Sequence, residues 1–249
     1  MNRRKLLSLA AVPAAVFCLT AFQAAKKAAP AGDPLVNAFR QIPTASISDA
    51  VDQVAKKRGF LSHDMRPVFE AKIAGRAVTA LLRPLSEAPA ASGALGVLHS
   101  VQAIDESGPG QVLVVVVEDG LDIAGIGGLM ATDAKVRGLE GAVIDGGARD
   151  LNEITRLAFP VFSRSVVPST SVGRYTSVSK NEPVNCAGVL IHPGDIIVGD
   201  RDGVVAVPKE HAEAVLKRAQ QIDEREAKMV PLIRKFKSLA KVVEMFQRI

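Results

Sequence analysis

The sequence predicts a single mixed α/β domain built around a central βαβ unit. The run Gln111–Val117 is continuous and rich in β-branched residues, which is typical of a strand buried on both faces. A glycine-rich loop, a helix and a second buried strand follow within about 35 residues, so the two strands are expected to be parallel with a right-handed crossover. Beyond residue 166, short apolar runs alternate with Gly, Pro and Asp turns, as in β-structure.

The elements that precede this unit follow from periodicity and from helix-ending glycines. Apolar residues recur at helical spacing over residues 44–58, and Gly59 ends that helix. Residues 72–82 alternate weakly and predict a strand, and residues 92–105 predict a second helix.

The central unit has four parts. In order they are the strand Gln111–Val117, a loop over residues 118–128, a helix over residues 129–137 closed by Gly138, and a strand over residues 141–144. Asp150 then begins a short helix, with Glu153 at the spacing of a capping box.

The C-terminal part combines β-structure with helices. The predicted elements are a strand over residues 160–163, short strands over residues 166–207 with turns at 192–195 and 200–203, a long amphipathic helix over residues 209–229, and a further helix that starts at Pro231.

The composition of the 249 residues is that of a globular protein. Hydrophobic residues make up 48% and charged residues 23%, which excludes a disordered or collagen-like chain. The net charge of +5 comes from 31 basic and 26 acidic residues. Five of the basic residues and no acidic residue lie in residues 1–31, so the rest of the chain has no net charge. No nucleic-acid partner is therefore predicted.

The first 31 residues have the pattern of an export signal followed by a linker. Arg3, Arg4 and Lys5 precede an apolar run over residues 6–22. This run is at the short edge for a bilayer span of roughly 20 residues. We expect residues 1–31 to be an export signal, similar to the twin-arginine type, with its linker, residues 32–249 to form the domain, and the protein to be exported to the periplasm. An uncleaved anchor is the alternative.

Cysteine and histidine offer little chemistry. Cys18 lies in the leader, which leaves Cys186 alone in the mature chain, without a disulfide partner and expected to be buried. The four histidines are scattered singly, so a zinc site has no support.

The glycines before the central helix form the first half of a candidate site. Gly125, Gly127 and Gly128 precede the helix, and the exposed amides of a helix N-terminus attract a phosphate or carboxylate. A tight loop alone would also explain these glycines. A dinucleotide site is disfavoured, because Met130 stands where the fingerprint has its third glycine.

Arg149 and Asp150 form the second half, directly after the next strand. Because the carboxyl ends of adjacent parallel strands lie side by side, both residues are expected beside the glycine loop. Arg149 suits a carboxylate of the substrate, and Asp150 suits a divalent cation such as Mg²⁺. A helix cap for Asp150 and a surface ion pair for Arg149 are the alternatives.

These residues resemble the RraA-like family, which includes the regulator of ribonuclease E activity and the 4-hydroxy-4-methyl-2-oxoglutarate aldolases. The resemblance rests on GGLMAT at 127–132, AKVRG at 134–138 and VIDGGARD at 143–150. It extends from about residue 43 to about residue 228, through matching segments at 75–79, 173–174, 183–188 and 193–204.

The resemblance implies an α/β fold with a single swivelling β/β/α-type domain, assembled into a homotrimer or homohexamer with sites between subunits. It also implies a divalent metal, Mg²⁺ or Mn²⁺, that chelates a small 2-oxo acid. Asp150 would hold the metal, Arg149 would bind the pyruvyl portion, and the amides of Gly127, Gly128, Leu129 and Met130 would bind its carboxylate. The implied reaction is class II retro-aldol cleavage of a 4-hydroxy-2-oxo acid, or decarboxylation of oxaloacetate, to give pyruvate. A non-catalytic binding or regulatory protein on the same scaffold is the alternative.

The sequence departs from the aldolases of this family at one position. They carry an acidic residue 21 positions before the arginine, where this chain has Gly128. Acidic residues from a neighbouring subunit are also typical, and Asp49 and Glu226 are the candidates here. A solvated helix face would equally explain both residues.

Overall fold

A mixed β-sheet with helices on two sides forms the framework of the protein, whose computed structural model describes residues 32–85 and 98–246. The strands within these residues are β1 (Arg66–Pro67), β2 (Ile73–Pro84), β3 (Gln111–Val117), β4 (Ala124–Ile126), β5 (Gly141–Ala148), β6 (Val161–Val166), β7 (Tyr175–Lys180), β8 (Val184–Cys186), β9 (Val189–Ile191), β10 (Ile196–Asp200) and β11 (Gly203–Val207). The helices are α1 (Pro34–Arg40), α2 (Thr44–Ala55), α3 (Leu98–Asp105), α4 (Gly128–Arg137), α5 (Leu151–Leu157), α6 (Ala212–Phe236) and α7 (Leu239–Phe246), with a 3₁₀ turn over Lys209–His211.

The main sheet has the strand order β1-β6-β5-β3-β2-β10-β11. Strand β4 pairs with β5, strand β7 pairs with β2, and β8 and β9 form a separate hairpin. The central neighbours from β2 to β6 are parallel, whereas β10 and β11 are antiparallel. Because the first strand β1 also contacts β11, the sheet is nearly closed.

The predicted βαβ unit is confirmed. Strands β3 and β5 run parallel, with Val112 opposite Gly141 and Val116 opposite Asp145. Helix α4 connects them and ends at Gly138, whose left-handed conformation (φ 84°) is the common glycine C-cap. Six of the seven residues of β3 are buried, as the β-branched run predicted.

The core has three parts. Helices α3, α4 and α5 pack on one face of the central strands. The β8–β9 hairpin covers the other face around Phe162 and Cys186. Helices α1, α2 and α6 pack on β10 and β11. The site elements therefore belong to the first part and the C-terminal helix α6 to the third.

Four predictions about single elements were wrong. Helix α2 ends at Ala55, followed by Lys56 in the left-handed conformation, and not at Gly59. The loop over residues 118–128 contains the short strand β4, and α1 precedes the first predicted helix. Pro231 does not start a helix, because α6 continues through it to Phe236. The exposed position of Pro231 explains this, since water can satisfy the carbonyl group that loses its amide partner.

Two of the predicted segments lie wholly or partly outside the described residues. The predicted signal and linker over residues 1–31, and residues 92–97 of the predicted second helix, lie outside the described residues. Among the residues that are described, no helix is both long enough and apolar enough to cross a bilayer.

Candidate functional site

Strand β4 brings the two halves of the candidate site together. It pairs in parallel with the end of β5, with Ala124 opposite Gly147 and Ile126 opposite Ala148. The amide of Arg149 donates to the carbonyl of Ile126 at 3.1 Å. The loop at Gly127 and the Arg149–Asp150 pair therefore leave the sheet side by side.

The side chain of Asp150 crosses to the glycine loop. Its Oδ2 atom accepts a hydrogen bond from the amide of Gly128 at 3.0 Å. The Nε atom of Arg149 lies 3.6 Å from the same oxygen. Both side chains keep a large exposed fraction, 39% for Arg149 and 44% for Asp150, so both are available to a ligand.

Asp150 does not cap helix α5 with its side chain, which corrects the capping-box interpretation. The residue precedes α5 with φ 57°, a left-handed conformation that Asp tolerates better than most residues. The amide of Glu153 is bonded to the backbone carbonyl of Asp150, at 3.0 Å, rather than to its carboxylate. The carboxylate is thereby free for the Gly128 amide.

Glycine at position 127 leaves room for the close approach of this pair. A Cβ atom at position 127 would lie 2.8 Å from Oδ2 of Asp150 and 3.0 Å from Nε of Arg149. Gly127 itself has an extended backbone (φ −143°), so glycine is favoured here by space and not by backbone conformation.

The N-terminus of α4 offers amides to the site. Gly128, Leu129 and Met130 form the first turn of α4, and such amides have no carbonyl partner one turn back. The Gly128 amide is taken by Asp150. Met130 is half-buried against the core, whereas the Leu129 side chain is 87% exposed.

Two cavities meet at Arg149 and Asp150. One, of about 230 Å³, is lined by the glycine loop and by residues 170–172. The other, of about 620 Å³, is lined by the start of α5, including Glu153 and Arg156, and by residues 166–168. Each is large enough for a small organic acid.

The donor set fits an open divalent-cation site. In the described part of the chain, no three His, Cys, Asp or Glu residues lie close enough together to hold a metal. Mg²⁺ in proteins is nevertheless usually held by one or two carboxylates, with water and substrate oxygens completing its shell. Asp150, with one oxygen not used by Gly128, meets that requirement.

A charged network on β5 and β6 could not be predicted from the sequence. Arg164 of β6 donates to both oxygens of Asp64, at 2.9 and 3.0 Å, and to Asp145 of β5 at 2.9 Å. The other oxygen of Asp145 accepts from the amide of Ala187 at 2.5 Å. The guanidinium lowers the pKa of Asp64 to about 2. Each carboxylate oxygen of Asp145 is thus bonded within the protein.

Cys186 is buried, as predicted. Burial, with a further contribution from Asp145, raises the pKa of its thiol well above the usual value. A thiol in this state is not a nucleophile.

Asp49 and Glu226 lie elsewhere. Both line a groove between α2, α6 and α7, together with apolar residues such as Ile222 and Met229. In the described residues this groove shares no lining residue with the cavities at Arg149. Within one subunit these two acidic residues therefore do not join the site.

Comparison with known proteins relates most of the domain to one family. The family model described as RraA-like (Aldolase/RraA) matches residues 44–206. A protein of Halalkalibacterium halodurans, named as a predicted 4-hydroxy-4-methyl-2-oxoglutarate aldolase, is 35% identical over 187 residues, which cover 75% of this chain and 82% of that protein.

Solved structures agree with the fold. An uncharacterized protein of Pseudomonas syringae pv. tomato superimposes with a TM-score of 0.75 and 26% identity, covering 85% of this chain and 93% of that one. The Streptomyces coelicolor protein RraAS2, described as an unusual member of the RNase ES inhibitor RraA family, gives a TM-score of 0.69 and 26% identity over 78% of this chain and 93% of its own. The predicted fold class is confirmed.

Proposed function

The chain belongs to the RraA-like family, and from its site we propose that it is a divalent-metal-dependent lyase acting on small 2-oxo acids. Its substrate would be a 4-hydroxy-2-oxo acid or oxaloacetate, and its product pyruvate. The observation that carries the proposal is the placement of Arg149 and Asp150 against the Gly127–Gly128 turn, at the N-terminus of α4.

Arg149 and the α4 amides would bind the acid group of the substrate. A guanidinium can bind a carboxylate through two parallel hydrogen bonds. The amides of Leu129 and Met130 lie at the positive end of the α4 dipole, which favours an anion at the same place.

Asp150 would hold the metal, Mg²⁺ or Mn²⁺. The Gly128 amide binds one carboxylate oxygen, which leaves the other available at the cavities that Asp150 lines. When bound, such a cation supplies a Lewis acid that stabilises negative charge developing on the 2-oxo oxygen.

The proposed cleavage breaks the bond between C3 and C4 of the substrate. The electron pair of that bond passes to the 2-oxo acid fragment, and the proton of the 4-hydroxyl group leaves as the second carbonyl forms. A proton then adds at C3, and pyruvate is released. Loss of CO₂ from oxaloacetate develops charge at the same oxygen, which is why one site would serve both substrates.

We also propose a homotrimer or homohexamer, exported to the periplasm. Exposed apolar side chains beside the site support the assembly, namely Leu129, Val166 and Val172, which are 87%, 60% and 52% exposed. A neighbouring subunit would cover them. Support for export comes from the basic and apolar pattern of residues 1–31.

The test is pyruvate release from oxaloacetate and from 4-hydroxy-4-methyl-2-oxoglutarate by the purified protein, with Mg²⁺ or with EDTA. We expect metal-dependent release, and we expect Asp150→Asn to lower kcat/KM by about a hundredfold or more, since it removes the charge that holds the cation.

Asp52→Asn is the matched control, because Asp52 is an exposed helical carboxylate outside the cavities at Arg149. It should leave the rate unchanged. Equal activity of the Asp150 variant would overturn the role of Asp150, and absence of release by well-folded wild-type protein would favour the non-catalytic alternative.

A further inference from the structure

Glu153 occupies the space that a side chain at position 128 would need. If Gly128 carried a Cβ atom, that atom would lie 2.7 Å from the carboxyl carbon of Glu153 and 3.4 Å from its Cγ, with Oε2 closer still. The Glu153 carboxylate thus lies over Gly128, although the two residues are 25 positions apart in the chain.

Glu153, and not the backbone conformation, is what a side chain at position 128 would meet. The backbone of Gly128 is helical, and its φ is not positive. Outside the backbone of its own helix, the three heavy atoms nearest to its Cβ position all belong to Glu153. An alanine at 128 would therefore meet no backbone strain, but it would displace the Glu153 carboxylate.

The carboxylate of Asp150 borders the same turn. Its Oδ2 bonds the Gly128 amide at 3.0 Å and lies 2.8 Å from the Cβ position of Gly127. Two carboxylates thus flank two successive glycines at the N-terminus of α4. Glu153 lines the larger cavity, and Asp150 borders both cavities.

We propose that Glu153 is a positioning residue of the divalent-cation site, holding the bound cation's water shell beside Asp150 from the space that Gly128 leaves open. The inference rests on the proposed metal-dependent function. Mg²⁺ and Mn²⁺ accept one or two carboxylates, with water in the remaining positions. Mutation of a residue that hydrogen-bonds to a metal ligand typically lowers metal affinity 10- to 100-fold.

The structural alternative is that Glu153 serves only α5, as an acidic residue in the first turn of a helix. Glu213 holds the same kind of position in the first turn of α6, and it lines none of the cavities at Arg149. Glu213→Gln is therefore a matched control for the loss of first-turn charge.

The experiment is titration of the full-length protein with Mn²⁺ alone, followed by electron paramagnetic resonance of the free ion. We expect Glu153→Gln to raise the Kd for Mn²⁺ about tenfold or more, and Glu213→Gln to leave it unchanged. Gly128→Ala should weaken binding to a similar degree, and combining it with Glu153→Gln should add little, because both changes remove the same carboxylate. Gly128→Asp in the Glu153→Gln background should recover most of the affinity.

Wild-type affinity in the folded Glu153→Gln variant would overturn the inference, and so would equal weakening by Glu213→Gln. Pyruvate assays separate this failure from failure of the proposed function. If pyruvate release is metal-dependent but the Glu153→Gln variant has an unchanged Kd for Mn²⁺, only the role of Glu153 is overturned. If Mn²⁺ binding depends on Glu153 but no pyruvate is released, only the proposed lyase activity is overturned. Wild-type protein that binds no Mn²⁺ would overturn both.

Discussion

At the scale of single residues, Asp150 shows how backbone conformation decides what a side chain does. Its left-handed φ of 57° turns the carboxylate away from α5 and toward Gly128. If the carboxylate capped α5, it would accept hydrogen bonds from the first amides of that helix. Here one oxygen is anchored and the other is left for a ligand.

Gly127→Ala tests whether this close packing matters. The new methyl group would collide with Asp150 and Arg149, and we expect a drop of at least about tenfold in kcat/KM for pyruvate release, because small displacements at a site are costly. The fold should persist, since φ −143° at this position suits alanine. The measurement pairs enzyme kinetics with thermal unfolding.

Gly108→Ala is the control for this substitution, because a Cβ atom there meets no other atom within 4 Å and the residue has no positive φ. Equal kinetics in the Gly127 and Gly108 variants would contradict the role assigned to the turn.

Part of the site could be predicted from the sequence at this scale. Arg149 and Asp150 were expected beside the glycine loop, because adjacent parallel strands end at one edge of the sheet. The position of Glu153 could not be predicted in this way. Its spacing from Asp150 indicates a capping box, and no local pattern connects it with Gly128. The acidic group that the sequence lacks at 128 has a spatial counterpart from another helix.

At the scale of secondary-structure elements, β4 determines the register of the site. It has only three residues and includes Gly125, so it lacks the alternation or apolar run that identifies a strand. Gly125 fits there because a Cβ atom would press on Val117 and Ile144 of the neighbouring strands, at 2.8 and 2.9 Å. Tertiary packing thus makes a strand where local sequence indicates a loop.

Helix α6 is a second element in which the local sequence signal does not decide the structure. Proline normally ends or kinks a helix, yet α6 runs past Pro231 for five more residues. Buried Met229 and the groove residues Val230 and Ile233 lie around this proline, and α7 packs against the same stretch. Packing of Met229 and of α7 thus holds α6 together around Pro231, while water satisfies the carbonyl group that lost its amide partner.

The Arg164 network joins β6 to β5 and to the segment before β1, and it predicts a pH dependence of stability. Arg164 lowers the pKa of Asp64 from its ordinary 3.8 to about 2, so folding favours the ionised carboxylate. The stabilisation is complete above pH about 4 and is lost as the pH falls toward 2. Since Asp64 is partly exposed, it amounts to about 1–2 kcal/mol.

We therefore expect Asp64→Asn to lower the free energy of unfolding at pH 7 by about this amount, and the difference from wild type to shrink as the pH falls from 4 to 2. Urea unfolding followed by circular dichroism measures both. Asp52→Asn should change neither. A difference that stays constant down to pH 2 would show that the charge of Asp64 is not responsible.

At the scale of the whole molecule, the sequence predicts the class and the central unit of the fold better than its outer layers. The parallel pairing of β3 and β5 can be predicted from a short stretch of sequence, because both strands are buried apolar runs and only a glycine-rich loop and one helix separate them. The pairing of β2 with β10 and β7 joins segments about 100 residues apart, and no local pattern reports such pairings. The helical layers on β10 and β11 follow from them.

Assembly can be tested through Leu129, which is 87% exposed beside the site. We expect Leu129→Asp to reduce the molar mass in solution from that of a trimer or hexamer to that of a monomer, because a charge would be buried in the subunit contact. Light scattering after size-exclusion chromatography measures this.

The fold of one subunit should survive the change, because Leu129 packs little against its own chain. Leu129→Met, which keeps the apolar surface, should retain the wild-type mass. A monomeric wild-type protein, or an unchanged mass for the Asp variant, would contradict the proposed assembly.

The long strand β2 has a consequence for how the chain is made. Its first residues pair with Ile196–Gly199 and its last with Tyr175–Lys180. During synthesis, more than a hundred residues must be translated after β2 before its partner strand β10 is available. Until then its edge, rich in buried apolar residues, is open to other strands. A nascent or truncated chain that ends before β10 should therefore depend on chaperones to stay soluble, whereas the finished sheet closes this edge with its own C-terminal strands.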